Sequence, residues 1–208
     1  MTRALNYANA RGVTLVGALG NNHEDLSKPH VDTSSSDYDN PSYAWDNTPY
    51  SRTINNASCL DLPVEGPNVI GVSALGPSGT KSDFSNYATD LSSGEIEVSA
   101  PGGWFRDGFG TPNYRTNENL ILSTAPLHVL QAEGSVDPDG NITPDGEAVG
   151  VMKDCATTKG VVTCGYYQYL QSTSMASPHA AWLRWLSALM APRMASVVWA
   201  WLRTRWRT

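Results

Sequence analysis

Ser174 lies in the segment STSMASPHAA, residues 172–181. This segment reads as a turn into a helix, with Pro178 in the first turns, where proline is tolerated best. A serine at a helix mouth has its own backbone N–H in the positive end of the helix, a good place to hold a developing oxyanion. The alternative is a structural one: Thr173 or Ser174 simply caps the helix. A second segment, VTLVGALGNN, ends an apolar run in Gly20-Asn21-Asn22. It aims the Asn21 amide off the C-terminal edge of a strand, where open α/β sheets place their sites. That amide can donate to an oxyanion, or Asn21 can be an ordinary turn residue.

Positioning these two groups needs a scaffold. Residues 2–11 read as a helix with Leu5 and Ala8 on one face and Gly12 as terminator. The nearly continuous apolar runs VTLVGAL (13–19) and NVIGVSAL (68–75) read as buried parallel strands. Phe84–Tyr87 and Ile96–Ala100 read as short strands or turns, and YYQYLQ (166–171) as a strand. The stretches 22–66 and 111–165 are polar and expected to be mostly surface loop. The order suggests an α/β domain with elaborate loops.

Taken together and in this order, the segments resemble the subtilisin-like serine peptidases (subtilases). STSMASPH is similar to the family's nucleophile motif, usually GTSMASPH, and GVTLVGALGN to the strand carrying its oxyanion-hole asparagine. PNVIGVSALGPSGTKSDFSNYA followed by IEVSAPGG matches the family's strand, loop and strand between them. The resemblance covers residues 1–181. It implies a subtilisin-like α/β fold, a partial parallel sheet flanked by helices with long surface loops. It further implies a secreted serine endopeptidase acting on peptide or protein substrates, without a cofactor. Ser174 would attack the peptide carbonyl. Its backbone N–H and the Asn21 side chain would hold the oxyanion, and Gly17, Ala18, Leu19 and Gly20 would line the pocket for the side chain preceding the scissile bond. Loss of one oxyanion donor costs about 10²–10³ in rate, a magnitude established within this same family. His179 lies inside the motif but is read as a structural histidine.

Three departures from the family pattern stand out. The Asp and His that precede the asparagine in a subtilase, in D-[TS]-G and H-G-T-H contexts, have no counterpart around His23, His30, His128 or His179. The triad acts as a unit, so this chain alone is expected to have negligible peptidase activity. Ser172 stands where the family has glycine, which would strain a position needing an unusual backbone angle or a close approach. After Ala181 the family continues with a small, apolar core helix, whereas this chain continues WLRWLSALMAPRMASVVWAWLRTRWRT. A buried Trp182 would overpack at a cost of about 1–3 kcal/mol, and a buried Arg184 would cost more.

Composition divides the chain at the same place. Residues 1–181 carry 9 basic and 20 acidic side chains, net −11, and residues 182–208 carry 5 Arg and no acid, net +5. The tail also holds 5 of the 7 Trp and none of the 18 Gly. Its Trp182, Trp185, Leu186 and Leu189 share a helical face suited to a membrane interface, with Pro192 interrupting. The stronger reading is a run translated from a shifted frame. The overall net charge of −6 argues against nucleic-acid binding. No apolar run reaches the length of a membrane span, and the N-terminal residues lack the apolar stretch of a signal peptide. Cys155 and Cys164 flank an eight-residue segment that a disulfide could close, leaving Cys59 alone. No Cys/His spacing suggests a metal. Asp137, Asp139 and Asn141 are spaced like alternate calcium ligands but fit Asx-turns better.

Overall fold

The apolar run at 13–19 becomes strand β1, Leu15–Ala18, preceded by helix α1, Thr2–Asn9. Within α1 only Leu5 and Ala8 are partly shielded from solvent, and no residue is buried. Gly12, at φ +76°, closes α1 by donating its N–H to Asn9 O at 2.9 Å. Strands β2 (His30–Asp32) and β3 (Arg52–Ile54) pair antiparallel at the surface. The computed structural model describes residues 1–32, 52–55, 58–90, 92 and 98–189. Residues 33–51 and 56–57 of the polar 22–66 stretch, residues Leu91 and 93–97, and the tail beyond Leu189 therefore lie outside the described residues, and with them Pro192 and its interruption of the tail.

The run at 68–75 becomes β4 (Val69–Leu75), and β5 (Val98–Pro101) follows. The three strands form a parallel sheet in the order β1-β4-β5, with Gly17 opposite Gly71 and Ala74 opposite Ala100. Helix α4, Thr173–Leu189, packs across all three strands. Val72, Ala74, Ala100 and Ala176 form the buried centre of that contact, with Val16, Ile70, Phe84, Val98 and Ala180 around it. Small side chains on both sides let the helix backbone come close to the sheet, so its N-terminus sits at the C-terminal edges of β1 and β4. Pro178 lies inside α4.

The 111–165 stretch is more ordered than its composition predicts. It contains a 3-10 turn (Asn117–Asn119), β6 (Ile121–Thr124), α2 (Leu127–Ala132), α3 (Pro144–Ala148), β7 (Met152–Thr158) and the start of β8 (Val161–Leu170). Strands β6, β8 and β7 form an antiparallel sheet in that order. Its own core is Leu130, Val136, Val151 and Tyr166. These four are too far apart in sequence to show a period, and β7 is exposed along its whole length, so no alternation marks it as a strand. Cys155 and Cys164 face each other across β7 and β8 and are joined by a disulfide, while Cys59 is free and exposed. The Asn141 backbone N–H and Nδ2 donate to the Asp137 carboxylate at 2.8 and 3.0 Å, an Asx-type turn closed on itself.

The helix does not stop at Ala181. It runs on to Leu189, and Trp182 and Trp185 are 59% and 58% exposed. The expected overpacking therefore does not occur, because the bulky residues that replace the small ones point outward.

Candidate active site

The C-terminal end of β1 is held by a neighbouring loop rather than by the strand itself. Asn86, 2% exposed, donates from Nδ2 to Leu19 O at 2.9 Å. Its Oδ1 accepts the N–H groups of Asn22 and Glu24 at 3.0 and 3.1 Å, and its own N–H donates to Gly20 O at 3.0 Å. Gly20 makes the turn at φ +100°, and a Cβ there would lie 2.5 Å from Asn86 Nδ2, so only glycine fits. One buried side chain thus fixes residues 19–24 and presents the exposed Asn21. Asn86 lies inside the segment SDFSNYA that carries the family likeness, but nothing in the sequence distinguishes it from an ordinary turn residue.

A second anchor holds the following turn. Asp25 accepts the Ser27 hydroxyl at 2.6 Å and the Thr89 hydroxyl at 2.6 Å, together with both of their backbone N–H groups. Burial alone would raise this carboxyl, but the hydrogen bonds from Ser27 and Thr89 outweigh it and hold it well below the ordinary carboxylate range. A carboxyl whose folded pKa is depressed stabilises above its unfolded pKa of about 3.9 and loses that contribution as pH falls below it. Asp25→Asn is therefore expected to lower the thermal midpoint at pH 7 and to narrow the difference between midpoints at pH 7 and pH 3. An unchanged difference would show that Asp25 does not carry this acid sensitivity.

The two segments singled out in the sequence meet here. Asn21 Oδ1 accepts the Thr173 N–H at 2.9 Å and the Thr173 hydroxyl at 3.0 Å. Thr173 Oγ1, fully buried, also accepts the Gly20 N–H at 3.1 Å. With its oxygen so engaged, Asn21 turns Nδ2 toward the mouth of α4, where it donates to Ser172 Oγ at 2.9 Å. The Ser174 N–H donates to that same oxygen at 3.0 Å. Two N–H donors, one from each segment, converge on one point beside the exposed Ser174, an arrangement able to hold an oxyanion. The helix cap is neither Thr173 nor Ser174 but Ser172, whose carbonyl accepts from Met175 and Ala176 at 3.0 and 3.3 Å. Nor is Ser172 strained in its backbone, since it is not among the residues with positive φ. The close approach falls on its neighbour Gly102, whose carbonyl accepts the Ser172 N–H at 2.9 Å.

The strand leading to Asn21 is closely packed. A Cβ at Gly17 would lie 3.1 Å from Val69 and 3.3 Å from Val64. The Leu19 side chain is fully buried against Leu26 and Val64 and faces the core. Its N–H donates to Val72 O at 3.1 Å. Ala18 and Gly20 are half-buried. Among the described residues no histidine or carboxylate is hydrogen-bonded to Ser174 Oγ. His23 Nδ1 contacts Asp83 O, His30 pairs with Glu24 at 3.4 Å, and His179 Nδ1 lies 2.8 Å from Met175 O in its own helix. His128 lies on α2. No group of residues that could hold a metal occurs among the described residues.

A profile of the Subtilase family matches residues 1–194. This chain belongs to the subtilase family. The match continues past Ala181 into the Trp-rich tail. No curated protein matches the chain. Among solved structures, this subtilase is similar to a lanthipeptide protease (21% identity over 86% of this chain and 37% of that one, TM-score 0.46). It is also similar to the epidermin leader peptide processing serine protease of Staphylococcus aureus (20% identity, 86% and 30%, TM-score 0.42). A third is the nisin leader peptidase of Lactococcus lactis (21% identity, 85% and 36%, TM-score 0.39). The chain spans between 30% and 37% of the length of these three structures.

Proposed function

We propose that this subtilase carries the nucleophile and the oxyanion hole of a serine endopeptidase acting on peptide or protein substrates. Ser174 Oγ is the nucleophile, and Asn21 Nδ2 with the Ser174 N–H stabilises the tetrahedral oxyanion. The Gly17–Gly20 strand end, through Ala18 and Gly20 above all, borders the side chain preceding the scissile bond. The observation that carries this reading is the meeting of Asn21 with the Ser172–Ser174 turn, 151 residues away in sequence, with two N–H donors on one oxygen. As the 208-residue chain on its own, the protein is catalytically incompetent. A serine hydroxyl is a weak nucleophile without a bonded base, and no described group supplies one. The same observation supports a second reading, a non-catalytic chain that binds peptides in this cleft. An extracellular setting is supported by the Cys155–Cys164 disulfide. No helix among the described residues is long and apolar enough to cross a membrane.

A fluorophosphonate probe tests the assignment. Ser174 Oγ attacks phosphorus, the P–F bond breaks, and fluoride and the hydroxyl proton leave to solvent. The purified chain is expected to label at Ser174 far more slowly than an active subtilase, and Ser174→Ala not at all. Labelling at the rate of an active enzyme would refute the incompetence. Equal labelling of Ser174→Ala would refute the nucleophile.

A further inference from the structure

We infer that Ser172 Oγ occupies the oxyanion hole of the resting chain, so that a substrate carbonyl binds there only by displacing it. The inference rests on the reading of Asn21 and Ser174 given above. The hole is defined by two donors, and both are already spent on one intramolecular oxygen: Asn21 Nδ2 at 2.9 Å and the Ser174 N–H at 3.0 Å. The Ser174 contact alone would be an ordinary helix cap. The Asn21 contact is not needed for capping and comes from a different part of the fold. Glycine, the residue the family pattern has at this position, has no side-chain oxygen to offer either donor.

The consequence differs between ground state and transition state. A neutral substrate carbonyl is no better an acceptor than the neutral Ser172 hydroxyl, so it gains little by displacing it. A developing oxyanion accepts charge-assisted hydrogen bonds, roughly twice as strong as neutral ones, and displaces the hydroxyl readily. Vacating the hole costs the same whichever oxygen enters, so Ser172 weakens oxyanion stabilisation by that full cost and weakens substrate binding by no more than that. It can move aside by rotation about χ1, because it is only half-buried and its backbone is held independently through the Gly102 carbonyl.

Phenylboronic acid tests this without requiring turnover. Ser174 Oγ adds to boron, the hydroxyl proton passes to solvent, nothing else leaves, and a boronate oxygen enters the hole. Boron NMR reads the tetrahedral adduct directly. Ser172→Gly is expected to bind about tenfold more tightly than the unsubstituted chain, the scale of one to two net hydrogen bonds. Asn21→Ala in the Ser172→Gly background is expected to erase the gain, and Ser174→Ala to abolish the adduct. Equal affinity in the unsubstituted chain and Ser172→Gly overturns the inference and leaves the nucleophile assignment standing. An adduct that survives Ser174→Ala overturns the assignment and the inference with it, and if no variant forms an adduct, as the missing base allows, the exchange of the Asn21 side-chain amide decides the inference. A glycine cap costs only a few tenths of a kcal/mol relative to serine, so Ser172→Gly should fold. If it does not, the unsubstituted chain decides: its Asn21 side-chain amide is expected to exchange at least about tenfold more slowly than a free asparagine amide. Exchange at the free rate overturns the inference.

Discussion

Asn86→Ala is expected to destabilise the fold by roughly 3 kcal/mol and to uncouple Asn21 from the mouth of α4. The side chain has 2% exposure and makes three hydrogen bonds, one to Leu19 O and two from the N–H groups of Asn22 and Glu24. Alanine leaves these groups without Asn86, and each buried polar group so abandoned costs about 1–3 kcal/mol. Those near the surface recover part of this from water, which places the sum nearer the lower end of the range. Asn86→Asp makes a sharper comparison. It keeps the acceptor for Asn22 and Glu24 but puts a buried carboxylate against the Leu19 carbonyl, so it is expected to be no better than alanine. Thermal or urea unfolding reads the stability. The phenylboronic acid adduct of Ser174, in the Ser172→Gly background, reads the site and should weaken severalfold as the 19–24 turn loosens. Unfolding within about 0.5 kcal/mol of the unsubstituted chain would mean that the turn is held by the sheet rather than by Asn86.

The parallel sheet was legible in the sequence where the apolar run is continuous. VTLVGAL and NVIGVSAL are apolar on both faces, as strands covered by helices must be, and they appear as β1 and β4 within a residue or two. Of the antiparallel sheet only YYQYLQ was legible, and it appears as the C-terminal half of β8; β6 is too short for its alternation to stand out. β7 is exposed throughout and is held by pairing with β8 and by the Cys155–Cys164 disulfide, neither of which leaves a periodicity. At the site, Asn21 and Ser174 were visible because each terminates or begins an element. Asn86 and Gly102 do not stand out in the sequence, and Thr173 does so only as a candidate helix cap, because their roles are to bond groups distant in sequence. Ser172 was visible only as a departure from glycine. Strain at Ser172 is the natural expectation from sequence, whereas its actual effect is to place an oxygen between two donors. Trp182 and Trp185 show the opposite limit. Replacing small residues with tryptophan predicts overpacking only if the helix face points inward, and sequence alone does not give that rotation.

Gly102→Ala is expected to be the most damaging single methyl group near the site. A Cβ at Gly102 would stand 2.5 Å from Ala74 Cβ and 2.7 Å from Ser172 O, both closer than real Cβ contacts. The residue is buried and tied on both sides, its N–H to Leu75 O at 3.0 Å and its carbonyl to Ser172 N at 2.9 Å. Neither neighbour can rotate away, since one is the Cβ of an alanine in β4 and the other a backbone carbonyl. The chain must therefore shift as a unit. Overpacking of this kind costs about 1–3 kcal/mol and sometimes more, and the clash with two rigid groups puts this substitution at roughly 3 kcal/mol. The shift has a direction: it pushes the Ser172–Ser174 turn away from β4 while Asn21 stays fixed by Asn86. The distance between the two proposed oxyanion donors is set by that separation, and a misplacement of about 1 Å can cost on the order of 10²-fold in a reaction that depends on it. Gly102→Ala is thus expected to lose the boronate adduct of Ser174 even at temperatures where circular dichroism still shows the native helix content. An adduct of unchanged affinity in a stably folded Gly102→Ala chain would mean that α4 is positioned by its packing on the sheet alone, and that the Gly102–Ser172 contact does not set the geometry of the hole.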